Sequence, residues 1–194
     1  MEIGATKAVQ DRLKTTKIEE SKGASLVFCW DTHLTKIKGR NVLFIVNASN
    51  RYTIAMTDIE PRNWNYYAMY ISRVIHGVMQ EMGYSEEQIA QYFKMSGDTT
   101  VTKTHGRKSV GGINRMVMDA QYFGKKLEKE AKYQWELCEY LNRDICQPEG
   151  FDAYGYPSEL FKLDMERLGI AAKRKPAKVI DFAQYIENNR GTND

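Results

Sequence analysis

The chain has 194 residues, 42% of them hydrophobic and 27% charged, which is too apolar for a disordered chain and typical of one folded domain. The 28 lysines and arginines against 25 aspartates and glutamates give a formal net charge of +3, far below the excess of a dedicated nucleic-acid coat. Three widely spaced cysteines argue against a disulfide framework and favour a reduced, cytoplasmic compartment. Without a leader segment or an apolar run of about 20 residues, we expect no secretion and no membrane span.

The N-terminal part predicts β structure. Residues 2–6 are predicted as a short strand and residues 6–14 as a helix with Val9 and Leu13 on one face. Three β-type apolar runs then follow one another at 26–30, 42–46 and 52–56. The turn-forming residues between them predict a three-stranded antiparallel meander, with its middle strand covered on both sides.

Helical periodicity takes over at Pro61, where a helix is predicted to run to Met82 and to end at Gly83. Ser85, with Gln88 three residues later, predicts a capping box at the start of a second, shorter helix. Residues 61–96 are therefore predicted to form two consecutive helices.

A β-branched run at 99–104 predicts a further strand of the sheet, and Ser109 is predicted to cap a long helix that ends near Asn142. Two short helices are predicted beyond it, at 158–168 and 179–188. The expected fold is α+β, with a small, mostly antiparallel sheet packed against long helices. Its predicted units are a core domain, 1–142, and a C-terminal helical arm, 143–194.

The stretch from Thr104 to Arg115 runs from a strand end through glycines and basic residues into the predicted helix start. Free N–H groups at Val110 to Gly112 and the helix dipole would converge there with basic side chains, which predicts an anion-binding site. The site consists of Arg107, Lys108, Ser109, Gly111 and Gly112. The spacing is not that of a Walker A loop, and a plain helix cap with close packing at the glycines remains the alternative.

Two histidines, His33 and His105, are candidate proton carriers, although a lone histidine is more often a surface or hydrogen-bonded residue. His76 has no histidine four residues on, because position 80 is Gln80. The cysteines also lack paired ligand spacing, so we predict no metal site and no cofactor.

Several motifs resemble a bacterial family, domain of unknown function 6933, over residues 1–125. The motifs are Ala5-Thr6-Lys7 with Leu13, Trp30-Asp31-Thr32-His33-Leu34, Arg40-Asn41-Val42-Leu43-Phe44-Ile45-Val46-Asn47 and Arg107-Lys108-Ser109-Val110-Gly111-Gly112-Ile113-Asn114. Lys108, between Arg107 and Ser109, departs from the family pattern. The resemblance brings no reaction, but it draws attention to a set of polar and aromatic residues that also stand out by themselves: Trp30, His33, Asn47, Arg107, Ser109 and Asn114.

Three functions remain open. The leading expectation is a binding module for a phosphate-bearing partner, RNA or DNA, that uses Arg107 and Lys108. The second is a metal-independent nuclease or transferase that uses His33 or His105. The third is a protein–protein adaptor of a toxin–antitoxin or phage-defence pair, with its partner bound through residues 151–190.

Overall fold

A computed structural model describes residues 1–14 and 18–173 of the chain. The predicted helix at 179–188 lies outside these residues. In the part that is described, one sheet holds the strands β1 (Glu2–Ala5), β2 (Cys29–Ile37), β3 (Arg40–Asn47), β4 (Thr53–Thr57) and β5 (Thr100–Thr102). Their order across the sheet is β4-β3-β2-β1-β5.

The predicted meander is confirmed, because β2, β3 and β4 pair antiparallel. β1 pairs in parallel with both β2 and β5, so the sheet is mixed. A single turn cannot join parallel neighbours, and the chain therefore crosses over between these strands. The hairpin between β2 and β3 turns at Lys38 and Gly39, whose φ angles are 49° and 82°. Two positive φ angles match the right-handed twist of the flanking strands.

The helices of the described residues are α1 (Lys7–Leu13), α2 (Pro61–Asn65), α3 (Tyr67–Glu81), α4 (Glu86–Ser96), α5 (Gly106–Gln121), α6 (Trp135–Asn142) and α7 (Pro157–Arg167). The capping box at the start of α4 is confirmed: Gln88 N donates to Ser85 Oγ over 3.3 Å and Ser85 N to Gln88 Oε1 over 2.9 Å. The predicted helix from Pro61 is interrupted at Tyr66, which separates α2 from α3.

The single long helix predicted from Ser109 to Asn142 is wrong. α5 begins three residues earlier, at Gly106, and ends at Gln121, and α6 begins only at Trp135. The connecting segment buries Phe123 and Leu127 in the same apolar core as the two helices. Their spacing therefore continued the helical pattern although the backbone there is not helical.

Apolar side chains cover both faces of the sheet. One face packs against α3, α4 and α7, and the other against α5 and α6. Phe161 of α7 lies in the first of these cores, with its ring centroid 6.0 Å from that of Trp30 and 5.2 Å from that of Tyr52. The described part of the predicted C-terminal arm thus packs against its own chain. No helix among the described residues has the length and apolar character that crossing a bilayer requires.

The outer edge of β4 is covered by polar groups from the segment that follows α5. Gln134 N donates to Ala55 O over 3.0 Å, and Thr57 N donates to Lys132 O over 2.7 Å. Farther along, the Asn142 side chain accepts from Thr53 N and donates to Thr53 O, each over 2.8 Å. These bonds satisfy backbone groups that an exposed edge strand would leave open to another chain.

Candidate functional site

The start of α5 differs from the predicted anion site in one respect. Because the helix begins at Gly106, the N–H groups of Val110 to Gly112 lie inside it and bond to its own carbonyls. Ser109 is in the first turn and is not the cap. Its hydroxyl donates to a carboxylate oxygen of Asp31. The backbone donors that the sequence placed at the glycines are therefore not available to a ligand.

The basic side chains of the predicted site are nevertheless at the surface. Arg107 and Lys108 are both exposed, and the Lys108 ammonium donates to the Pro148 carbonyl over 3.2 Å. One turn later, a Cβ at Gly112 would lie 3.7 Å from Arg51 Cδ, so the Arg51 side chain runs beside this helix. Lys108 and Gly112 share a helix face because they are four residues apart. We call Arg51, Arg107 and Lys108 the basic face.

No ion pair to any of these three cations occurs among residues 1–14 and 18–173. In the same part of the chain, many surface cations are paired, as in Lys103–Glu20, Arg115–Asp119 and Lys125–Glu136. The Pro148 carbonyl that holds Lys108 is neutral and leaves the charge of the ammonium uncompensated. The basic face therefore carries positive charge that is free to attract an anion.

Two of the other residues singled out from the sequence are structural. The Trp30 indole donates to Tyr92 Oη over 2.9 Å, and this hydroxyl donates to Val27 O over 2.7 Å. Asn47 Nδ2 also donates to Val27 O, over 2.9 Å, and Asn47 Oδ1 accepts from Ser49 N over 3.0 Å. Both side chains are buried and hold the chain around the ends of β2 and β3.

His33 and Asn114 show no such network. His33 Nδ1 lies 3.1 Å from Thr6 Oγ1, and burial lowers the pKa of this imidazole below its usual value. Asn114 is exposed on α5. No hydrogen bond within the described residues joins His33 or Asn114 to Asn47 or Arg107. Within the described residues, Ser109 of α5 is hydrogen-bonded to Asp31 of the meander, whereas His33 and Asn47 form no hydrogen bond with Arg107.

Beneath the start of α5 lies a group of buried charges that sequence analysis did not connect. His105 Nδ1 lies 2.7 Å from Asp31 Oδ1, and His105 Nε2 lies 3.0 Å from Glu2 Oε2. The side chains of Asp31, His105 and Glu2 are 0%, 3% and 5% exposed. We call Glu2, Asp31, His105 and Ser109 the buried network.

Strand register explains how the buried network assembles. β1 and β2 pair with Gly4 beside Asp31, and the missing side chain of Gly4 leaves room for the Asp31 carboxylate. A Cβ at Gly4 would lie only 1.8 Å from Asp31 Oδ1. His105 follows β5, which pairs with the other side of β1. The available sequence signal was an acidic residue inside each of two strands, Glu2 in β1 and Asp31 in β2.

The buried network shifts the pKa values of His105 and Glu2. Burial by itself would lower the pKa of His105, but the hydrogen bonds and charges of Asp31 and Cys29 outweigh it and raise the pKa to about 10. Burial likewise opposes ionisation of Glu2, yet hydrogen bonds from Ser21, Lys22 N and His105 hold its pKa below the usual value. At neutral pH a buried imidazolium therefore lies between two carboxylates.

This arrangement bears on the proposed proton carriers. A general base must be unprotonated and within reach of a bound substrate. His105 is protonated at neutral pH, its two ring nitrogens contact carboxylates, and its side chain is 3% exposed. The geometry thus gives His105 a role inside the protein and does not support it as a proton carrier for a substrate.

Comparison with known proteins identifies a family. The family model described as Domain of unknown function (DUF6933) matches residues 2–160. The match is longer than the resemblance over 1–125, since it also covers α6 and the start of α7. It includes both the basic face and the buried network. No curated protein and no solved structure matches the chain.

Proposed function

This chain belongs to the family Domain of unknown function (DUF6933), and on that premise we propose that it is a binding module for a phosphate-bearing partner, RNA or DNA. The family supplies no reaction, so the proposal depends on the residues of the chain itself. The observation that carries it is the basic face, in which three cations surround the first two turns of α5 and form no ion pair among the described residues.

The side chains contribute more to this proposal than the helix dipole does. The Asp31 carboxylate already accepts from His105 N, over 3.2 Å, and from the Ser109 hydroxyl at the inner side of the helix start. An internal anion thus uses part of the positive end of α5. Arg107 and Lys108 remain on the outer side, where guanidinium and ammonium groups bind phosphates well.

An exposed aromatic residue lies on the loop that contacts Lys108. Pro148 of this loop accepts from the Lys108 ammonium, and an antiparallel bridge between Cys146 and Gly155 closes the loop. Tyr154, next to Gly155, is 70% exposed. Proteins that bind single-stranded nucleic acid typically combine cations, which bind the phosphates, with an aromatic ring on which a base can stack.

The test is fluorescence anisotropy with labelled RNA and DNA oligonucleotides of mixed sequence, at low and at moderate salt. We expect binding that weakens with salt, and an affinity at least about 10-fold lower in Arg107→Ala/Lys108→Ala. The matched control is Lys126→Ala/Lys129→Ala, which removes the same charge from exposed positions in the segment that follows α5, outside the basic face.

Equal losses in the two double variants would show that net charge alone drives binding, and the basic face would then lose its role. Absence of binding at low salt would overturn the proposal and would favour the adaptor function, with a protein partner at residues 151–190. Oligonucleotide cleavage in the same samples, abolished by His33→Ala, would instead favour the nuclease.

A further inference from the structure

Three side chains of different chemistry meet in the interior beside β1. Single ligand atoms of Glu2, Cys29 and His105 all lie within 4.8 Å of one another, and all three residues are buried. The parallel register of β1 and β2 places Glu2 directly beside Cys29. His105, which follows β5 on the other side of β1, contributes its imidazole to the same point.

The imidazole is held by a fourth residue. His105 Nδ1 faces Asp31 Oδ1 at 2.7 Å, and this contact directs Nε2 towards Glu2, 3.0 Å away. Histidines that bind metals characteristically donate their other ring N–H to a carboxylate, which fixes the orientation of the ring. Asp31 is itself fixed, because it also accepts from the His105 backbone N–H and from the Ser109 hydroxyl.

We propose that Glu2, Cys29 and His105 bind a divalent transition-metal ion of the Zn²⁺ type, with Asp31 as a positioning residue. Carboxylate oxygen, thiolate sulfur and imidazole nitrogen together suit zinc, whereas Mg²⁺ and Ca²⁺ select oxygen ligands. This proposal is independent of phosphate binding at the basic face.

Distance and charge are both compatible with an ion at this point. Oxygen and nitrogen ligands of a tetrahedral zinc ion lie roughly 3.3 Å apart, so the 3.0 Å between Glu2 and His105 needs to widen by only a few tenths of an ångström. Imidazole and thiolate bind metal ions in their deprotonated forms, so protons that leave on binding offset the positive charge that enters the interior.

An exposed segment covers one side of the proposed metal site. Glu2 is covered by the segment from Glu19 to Gly23, in which Lys22 N donates to Glu2 Oε1 over 2.8 Å and Ser21 Oγ donates to Glu2 Oε2. The residues of this segment are exposed. Opening these two bonds would give an ion access to the carboxylate without any change in the sheet.

The test is cobalt substitution in the untagged, chelator-treated, reduced chain. One equivalent of Co²⁺ should give visible bands of a tetrahedral ion and a near-ultraviolet band of thiolate-to-cobalt charge transfer, and Zn²⁺ should abolish both. Cys29→Ala should lose the near-ultraviolet band and bind at least about 10-fold more weakly. Its fold should be retained, because the contacts of the Cys29 thiol with the Ala24 and Ser25 carbonyls are long, 3.6 Å and 3.5 Å, and His105 keeps its contacts with Asp31 and Glu2.

The matched control is Cys146→Ala, since Cys146 is also buried but is not one of the proposed ligands. It should keep the full spectrum and affinity of the unmodified chain. Zn²⁺ should also raise the melting temperature of the unmodified chain and of this control more than that of Cys29→Ala. The absence of a cobalt spectrum, or an unchanged spectrum in Cys29→Ala, would overturn the proposal.

Discussion

His105 and Asp31 lie 74 residues apart in the sequence, yet His105 Nδ1 and Asp31 Oδ1 are 2.7 Å apart in the interior. The pair ties the start of α5 to the second strand of the sheet, and the contact of His105 with Glu2 extends this tie to β1. Because all three side chains are almost completely buried, each charge depends on its neighbours for solvation.

His105→Ala should therefore be strongly destabilising. It removes the cation between Glu2 and Asp31 and leaves two buried carboxylates without their partner. Breaking a buried ion pair in this way costs about 3–5 kcal/mol. Urea unfolding with a chelator present should show that loss in the free energy of unfolding.

His76→Ala is the matched control, because His76 contacts Glu86 at 3.2 Å but its side chain is 40% exposed. Exposed pairs contribute about 0–1 kcal/mol, so its unfolding curve should move little. A loss in His105→Ala as small as that of the control would contradict the structural role of the buried network.

The stability of the chain should depend on pH because the pKa of His105 is raised in the folded state. The pKa of His105 is raised in the folded chain, from 6.5 to about 10, so the folded state binds the proton more tightly than the unfolded state does. The resulting stabilisation is complete below pH 6.5 and disappears as the pH rises through about 10. The free energy of unfolding of the metal-free chain should decrease over this interval.

Two variants test whether the titration of His105 causes this decrease in the free energy of unfolding. His105→Gln removes the titrating group and should flatten the curve between pH 7 and 10, whereas His76→Ala should keep the slope of the unmodified chain. Equal slopes in the unmodified chain and His105→Gln would mean that His105 does not titrate in this range.

The part of the fold that local signals determine could be predicted from the sequence. The meander and the capping box at Ser85 depend on neighbouring residues, and both were predicted. The parallel pairing of β1 and the contact between Glu2 and His105, 103 residues apart, depend on register between distant segments. A single sequence contains no direct signal of that register, so the basic residues of α5 were found and the buried network beneath them was not.

Gly4→Ala should be destabilising because the interior has no room for the added methyl group. Its Cβ would lie 1.8 Å from Asp31 Oδ1 and 3.0 Å from Thr104 Cα. Forcing extra volume into a packed core costs about 1–3 kcal/mol, and displacement of the Asp31 carboxylate would add to this. Gly77→Ala is the control, since a Cβ in that part of α3 meets nothing within 4 Å and alanine is the better helix former. Thermal unfolding should show a lower midpoint for Gly4→Ala and an equal or higher one for Gly77→Ala.

The last prediction concerns the covered edge of β4. Asn142 is buried, and its amide accepts from Thr53 N and donates to Thr53 O, so it acts as a short substitute for a neighbouring strand. Asn142→Ala leaves both backbone groups without a partner, at a cost of about 1–3 kcal/mol for each unsatisfied group. Asn114→Ala removes the same amide from the exposed face of α5 and should change stability by no more than about 0.5 kcal/mol. Urea unfolding of the two variants side by side tests the difference, and equal stability would mean that water satisfies Thr53 as well as Asn142 does.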